Sequence, residues 1–163
     1  MYAARHDSSN ASFVEGAVED LTRFDDERFD LVASIYALDI VADVEATLAE
    51  AARVLKPGGT LAIAVKHPLD VIVEGGPPYR IARSYWSGHE DQPWDWKDGT
   101  STTLRVYIRT LSAWFELLAD AGFAIERVIE PREDELPGGP DDKMDNRWLA
   151  LMPYTLILKA RKR

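Results

Sequence analysis

The sequence predicts a single α/β domain, because short apolar runs alternate with amphipathic helices. Residues 29–34 and 60–65 are almost continuously apolar, which is typical of parallel strands buried on both faces. Between these runs, apolar residues at helical spacing predict an amphipathic helix. Asp43 is its candidate N-cap, and residues 56–59 (Lys-Pro-Gly-Gly) are expected to end it. A strand, a helix and a strand in this order form a parallel pair.

A second helix and two more strands follow the same pattern. Thr110 is a candidate N-cap, and Gly122 is a candidate C-terminal stop for the helix between them. Residues 124–129 and 154–160 are predicted strands, and residues 12–15 are a weaker one. The polar stretch 133–146 is predicted as a surface loop.

Composition sets limits on the class of protein. The 163 residues are enough for one domain, predicted over 1–163, and 46% of them are hydrophobic. A net charge of −9 disfavours a nucleic-acid partner, and the lack of cysteine excludes disulfides and thiolate metal sites. No apolar run approaches the ~18 residues that span a bilayer, so we expect a cytoplasmic protein without a membrane partner.

Residues 69–103 form a long insertion with an unusual composition. The stretch contains Gly and Pro but also three tryptophans, namely Trp86, Trp94 and Trp96. Loops of this length are usually functional or disordered, and the aromatic residues favour a folded lid over the substrate side.

Ligands of open α/β sheets bind beyond the carboxyl ends of the strands. Three groups of residues follow predicted strands in this way: 16–21, 35–39 and 66–68. His67 is the only histidine directly after a strong strand, and its imidazole could take a proton from a substrate at neutral pH. The three histidines are scattered, so no metal site is predicted.

Three segments in this order carry a resemblance to a known family. Residues 13–21, 29–34 and 53–59 resemble the third strand with its acidic turn, the fourth strand, and the helix end before the fifth strand of class I S-adenosylmethionine-dependent methyltransferases. His67-Pro68, residues 109–111, residues 121–123 and Glu130-Pro131 are similar to a small-molecule, type 11-like subgroup. The resemblance implies a Rossmann-like sheet that is mostly parallel, with an antiparallel C-terminal strand and helices on both faces.

One departure from the family pattern has large consequences. The sequence has no GxGxG turn for the methionine part of the cofactor, and no acidic residue that ends a second strand. The sheet is therefore expected to be incomplete at its N-terminal side, either because the sequence given starts late or because the protein is a natural remnant. An unpaired central strand edge would follow, so we expect a homodimer or a strand-exchanged assembly.

The resemblance implies a cofactor site for S-adenosylmethionine, with weak or absent binding by this chain alone. Its predicted residues are Ala17, Val18, Glu19, Asp20, Ser34 and Ile35. The alternative for the two acidic residues is a helix or turn cap.

Candidate residues on the substrate side have structural alternatives too. His67 and Tyr36 are the candidate catalytic residues, and Asp39, Trp86, Trp94 and Arg109 are the candidate substrate contacts. His67 could be structural, Tyr36 a core aromatic and Asp39 a turn cap. The tryptophans, Trp96 included, could wall a pocket or pack inside a lid. Arg109 could clamp a carboxylate or pair with Glu130.

The leading function is methyl transfer to a small-molecule substrate by in-line displacement, to which the protein contributes alignment and exclusion of water. A catalytically inactive methyltransferase-like binding or assembly module is the main rival, favoured by the absent glycine turn. A nucleotide-dependent oxidoreductase is a third option, but it would need the same phosphate turn.

Overall fold

A four-stranded sheet organises the chain in the computed structural model, which describes residues 10–74, 80–96, 98–132 and 151–163. In chain order the elements are β1 (Phe29–Ile35), a 3₁₀ turn (Leu38–Ile40), α1 (Val44–Val54), β2 (Leu55–Lys66), α2 (Pro68–Ile72), β3 (Val73–Glu74), β4 (Arg80–Ile81), β5 (His89–Asp95), β6 (Ser101–Tyr107), α3 (Leu111–Asp120), β7 (Phe123–Ile129) and β8 (Thr155–Lys162).

The sheet has the strand order β1-β2-β8-β7. β1 pairs with β2 in parallel, whereas β8 lies antiparallel between β2 and β7. Three strands therefore point the same way and the C-terminal strand points the opposite way. This arrangement confirms the expected α/β fold, with an antiparallel C-terminal strand in an otherwise parallel set.

Both long helices begin at the predicted N-caps. The Asp43 carboxylate accepts a hydrogen bond from the Ala46 N–H at 2.9 Å, and the Thr110 hydroxyl accepts one from the Ala113 N–H at 3.1 Å. At the start of β2 a side chain on Gly59 would meet the Lys56 carbonyl oxygen at 2.9 Å, so the turn requires glycine there. Local sequence signals thus place both helix starts and the turn into β2.

One face of the sheet, here called the covered face, is buried under α1 and α3. Its residues are Leu61, Ile63 and Val65 of β2 and Leu156, Leu158 and Ala160 of β8. They form one cluster with Leu48 of α1 and with Trp114 and Leu118 of α3. Helices were expected on both faces, but within the described residues the two long helices pack on this face alone.

The opposite side of the sheet is here called the open face, and it is apolar yet accessible. Leu31, Ala33 and Ile35 of β1 point to it, and Leu31 and Ile35 are 57% and 71% exposed. Ala62, Ala64 and Ile157 continue it across the sheet by register. The prediction that β1 is buried on both faces is therefore wrong for this side of the strand.

The predicted strand at residues 12–15 is absent, because the described residues give this segment no strand to pair with and its side chains stay exposed. Arg53 anchors the chain that follows by donating to the carbonyls of Leu21 and Phe24. The predicted loop 133–146 lies outside the described residues.

The insertion contains two short antiparallel hairpins, β3-β4 and β5-β6. Arg83 joins them, since its guanidinium contacts Glu74 and Glu90 at 2.9 Å each. The Tyr85 hydroxyl accepts the Leu111 N–H at 3.1 Å and so holds the insertion against the start of α3. Whether it closes as a lid stays a prediction. No helix in the described parts of the chain is long and apolar enough to cross a membrane.

Candidate functional site

Four strand ends meet at one edge of the sheet, here called the strand-end cluster. Tyr36 follows β1, His67 follows β2, Glu130 follows β7, and Thr155 begins the antiparallel β8. Hydrogen bonds join these ends in pairs: the Tyr36 and Thr155 hydroxyls bond to each other, and His67 Nε2 lies 3.0 Å from Glu130 Oε1. The expected convergence of residues after β1 and β2 is therefore seen.

Tyr36 has a backbone conformation that is unusual for an aromatic residue. Its φ is +50°, in the left-handed region that residues with a side chain rarely adopt. Its N–H donates to the Ala64 carbonyl at 2.8 Å. Its ring lies 6.2 Å from the Tyr154 ring. Strain of this kind clusters at functional sites, and here it turns the chain sharply from β1 into the 3₁₀ turn that carries Asp39.

His67 is buried, with 1% of its surface exposed, and both of its ring nitrogens are engaged. Nδ1 accepts the Leu69 N–H at 3.1 Å and so caps α2, which places the ring proton on Nε2 toward Glu130. Its backbone N–H donates to the Tyr154 carbonyl at 2.6 Å. The residue therefore links the ends of β2 and β7 to the start of β8. Its predicted catalytic role stays untested, but a base would need one of these nitrogens released.

Two carboxyl groups near this edge have pKa values that are raised by burial, because burial disfavours their charged form. Burial raises the pKa of Asp39 to about 6, although the Lys66 N–H bond at 3.0 Å and the charges of Lys66 and Arg109 oppose the rise. Burial also raises the pKa of Asp70 to about 6, and the nearby Asp39 charge adds to this effect. Both groups therefore titrate close to neutral pH, where a proton acceptor is most effective.

Arg109 holds the 3₁₀ turn in place. Its two terminal nitrogens donate to the carbonyls of Leu38 and Val41 at 2.9 and 2.8 Å, and its guanidinium lies over the Tyr107 and Trp114 rings. The alternative pairing with Glu130 is wrong, because Glu130 contacts His67 instead. A substrate contact by Arg109 stays a prediction.

The tryptophans of the insertion are accessible and do not form a packed lid interior. Trp86 is 81% exposed, and Trp94 and Trp96 are 47% and 50% exposed. The last two rings pack edge to face, with centroids 6.3 Å apart, near the tip of the β5-β6 hairpin. β6 packs beside the 3₁₀ turn that carries Asp39, so the hairpin lies next to the strand-end cluster.

A separate open cavity of about 390 Å³ lies in the segment before β1. Among its lining residues are the predicted cofactor residues Ala17, Val18 and Asp20, together with Phe13 and Val14. Glu19, Ser34 and Ile35 do not line it. The Asp20 carboxylate accepts hydrogen bonds from the Thr22 hydroxyl and N–H, which lower its pKa. Asp20 therefore also fits the turn-cap alternative.

The structure adds residues that the sequence interpretation did not select. The sequence analysis gives Glu130 a place in the subgroup resemblance and a possible pairing with Arg109 but no site role, although it follows a predicted strand and the strand-end rule applies to it. Thr155 reaches the edge because β8 is antiparallel, which its own sequence does not reveal. Asp70 lies in the insertion and carried no signal. Within the described residues no group of three potential metal ligands occurs.

Comparison with known protein families gives a match in the first part of the chain. Residues 1–63 match the family model described as a methyltransferase domain. A phthiotriol/phenolphthiotriol dimycocerosates methyltransferase from Mycobacterium leprae is 41% identical over 70 residues, which are 43% of this chain and 26% of that protein. A highly reducing polyketide synthase from Leptosphaeria maculans is 29% identical over 110 residues, or 66% of this chain. The chain spans about a quarter of the first relative and 4% of the second.

Solved structures share the fold over nearly the whole chain. An S-adenosylmethionine-dependent methyltransferase from Mesorhizobium loti aligns with a TM-score of 0.72 at 24% identity, covering 98% of this chain and 73% of that one. The two chains therefore share the same fold. The resemblance to class I S-adenosylmethionine-dependent methyltransferases is thereby confirmed, in sequence for residues 1–63 and in fold for the described chain.

Proposed function

We propose that this chain, with its methyltransferase domain, transfers the methyl group of S-adenosylmethionine to a small-molecule acceptor. The observation that carries the proposal is the meeting of Tyr36, His67, Glu130 and Thr155 at the carboxyl edge of a methyltransferase-type sheet. The acceptor class is supported by the M. leprae relative, whose name gives phthiotriol and phenolphthiotriol dimycocerosates as what it methylates. The negative charge of the chain also disfavours a nucleic-acid acceptor.

The residues present fit one end of the cofactor. Ala17 and Val18 line the cavity before β1 together with Phe13 and Val14, and such apolar walls suit a planar base. The methionine end finds no glycine-rich turn, since the sequence contains no GxGxG pattern. Within the described residues only the adenine end thus has candidate walls, and we expect weak cofactor binding.

The chemistry at the strand-end cluster consists of alignment and proton acceptance. When bound, the cofactor supplies an electrophilic methyl group on a sulfonium. The chain's own part is to orient the acceptor beside Tyr36 and to take its proton where the nucleophile is protonated. Asp70 suits that second task better than His67, because its carboxylate has no hydrogen bond within the described residues and both His67 nitrogens are occupied.

Titration calorimetry with S-adenosylmethionine and with adenosine tests cofactor binding. We expect both to bind weakly, with affinities within about threefold, a difference of about 0.7 kcal/mol, because the methionine end adds few contacts. Ala17→Trp fills the cavity and should abolish both, whereas Thr103→Trp on the exposed hairpin should change neither. Binding of S-adenosylmethionine a hundredfold tighter than adenosine would show that another part of the chain holds the methionine end.

Catalysis is tested separately, by following S-adenosylhomocysteine release with a panel of small hydroxyl, carboxyl and amine acceptors. We expect slow turnover with at least one acceptor, and a further loss in Asp70→Asn. The rival function is an inactive binding module, which the missing glycine turn favours. If neither nucleoside binds and the whole panel gives no product, the rival replaces methyl transfer for this chain.

A further inference from the structure

The short helix α2 carries Asp70 and is held at both of its ends. At its C-terminal end the Ala82 N–H donates to the Ile72 carbonyl at 2.8 Å, and Ile72 itself is buried. At its N-terminal end the helix begins directly after His67, whose carbonyl accepts the Asp70 N–H at 2.9 Å. The position of the Asp70 carboxyl therefore depends on how His67 is fixed.

His67 is fixed by contacts from three different parts of the chain. Its backbone N–H donates to the Tyr154 carbonyl just before β8, and its Nε2 lies 3.0 Å from Glu130 Oε1 just after β7. Its Nδ1 accepts the Leu69 N–H at 3.1 Å in the first turn of α2. Because a backbone N–H can only donate, the ring proton lies on Nε2 and points to Glu130. One tautomer thus satisfies both ring contacts.

We propose that His67 and Glu130 are positioning residues, which hold α2, and with it the Asp70 carboxyl, at the carboxyl edge of the sheet. This inference rests on the function proposed above, in which Asp70 accepts a proton. The Glu130 carboxylate selects the Nε2–H tautomer of His67, and the free lone pair on Nδ1 then caps α2. His67 acts through Asp70 and not on the acceptor itself.

Use of His67 as a base would undo this arrangement. Its Nε2 already carries a proton, so a second proton would have to bind Nδ1. That nitrogen would then present a donor to the Leu69 N–H, and the side-chain cap of α2 would be lost. Proton uptake by His67 would therefore loosen the turn that carries Asp70.

The pKa of Asp70 reports where its carboxyl lies. Burial is the largest influence on this pKa, and the charges of Lys66 and Asp39 act on it as well. Both charges are unaltered in variants of His67 or Glu130. A loosened α2 would expose Asp70 to water, so its pKa would fall from about 6 toward its ordinary value.

Solution NMR of His67 variants tests the positioning without any turnover. His67→Asn supplies a side-chain oxygen that can accept the Leu69 N–H, as asparagine does at many N-caps, whereas His67→Ala supplies none. We expect His67→Asn to keep the hydrogen-exchange rate of the Leu69 amide and the raised Asp70 pKa. His67→Ala should speed that exchange and lower that pKa. His89→Ala, at an exposed histidine of β5, should change neither.

The nitrogen chemical shifts of the His67 ring give a second signature, because they distinguish a protonated ring nitrogen from an unprotonated one. We expect the Nε2–H form in the wild type and in Glu130→Gln, whose amide oxygen can accept the same proton. Glu130→Ala should give a mixture of tautomers and faster Leu69 exchange. Thermal melts check folding, and Glu130→Ala replaces His67→Ala in the comparison if the latter does not fold. An Nδ1–H form in the wild type would overturn the proposal.

Single-turnover rates separate the positioning role of His67 from a catalytic one. We expect His67→Asn to stay within about threefold of the wild type and His67→Ala to lose on the order of 100-fold, the cost of a misplaced group. A comparable loss in His67→Asn with an unchanged Asp70 pKa would overturn the proposal, because His67 would then act on the reactants. Unchanged Leu69 exchange and Asp70 pKa in a folded His67→Ala protein would overturn it too. Absence of turnover in the wild type counts against methyl transfer alone, and the NMR results then decide the positioning of Asp70.

Discussion

The two faces of the central sheet are built from equally apolar strands but have different neighbours. On the covered face Leu61, Ile63 and Val65 are at most 2% exposed, because α1 and α3 pack on them. On the open face Leu31 and Ile35 are more than half exposed. Sequence alone does not separate these two sets of residues, since each belongs to a continuous apolar strand.

The difference shows that an apolar strand sequence indicates which kind of neighbour a sheet face can pack against. It does not indicate whether the folded chain provides that neighbour. The covering helices α1 and α3 belong to the connections β1–β2 and β2–β7. The open face receives no such helix from the described residues. Its side chains therefore gain little free energy from burial within the described residues.

Truncation of a covered-face residue is expected to have the largest effect. Leu158→Ala removes a side chain that is 0% exposed, and it should lower the free energy of unfolding by about 2–5 kcal/mol. Its neighbour Ile157 points to the open face, so Ile157→Ala should cost clearly less. Urea unfolding of both variants measures the difference. Equal losses would show that the two faces are equally well packed in solution.

The second largest effect on stability is expected at the strand-end cluster. His67→Ala removes the α2 cap and the Glu130 contact of a buried side chain, and we expect a loss of about 1–3 kcal/mol. Glu130→Gln keeps an oxygen that can accept the Nε2 proton and should cost less than His67→Ala. Thermal unfolding compares the two. A stable His67→Ala protein would mean that this junction contributes little to the fold.

Much of the fold was predictable, because its signals are local. The caps Asp43 and Thr110 and the glycine turn before the core of β2 act through neighbouring backbone groups, so the sequence reveals them directly. The strand at residues 12–15 failed because a strand needs a partner, and pairing is a long-range property.

The candidate site was predictable in position but not in its partners. The strand-end rule brought Tyr36, Asp39 and His67 to one edge, whereas the pairing of His67 with Glu130 depends on the order of β7 and β8 in the sheet. The exposed tryptophans show the same limit, since composition does not say whether a folded insertion packs its aromatic rings inward.

The buried carboxyl of Asp39, in the 3₁₀ turn after β1, should make stability depend on pH. The pKa of Asp39 is about 6 in the folded chain and lower when unfolded, so the folded state binds its proton more tightly. Stability from this group is therefore present below about pH 4 and is lost as pH rises through 6. Asp39→Asn keeps an oxygen for the Lys66 N–H and removes the charge.

We expect this variant to be more stable than the wild type by up to about 2 kcal/mol at pH 8 and equal to it at pH 4. Asp25→Asn at an exposed position should show no such difference. Urea unfolding across this pH range measures the difference, which includes the removal of the Asp39 charge beside Asp70. A destabilised Asp39→Asn protein at pH 8 would show that the Asp39 anion makes a favourable contact.

The smallest effect is expected on the open face itself. Ile35→Thr keeps a β-branched side chain on a strand and removes apolar surface that is already 71% exposed, so the free energy of unfolding should change by less than about 0.5 kcal/mol. Urea unfolding at high dilution, where copies of the chain are separate, measures the change. A loss of 2 kcal/mol or more at high dilution would show that the open face is covered within a single chain, and the contrast between the two faces would then disappear.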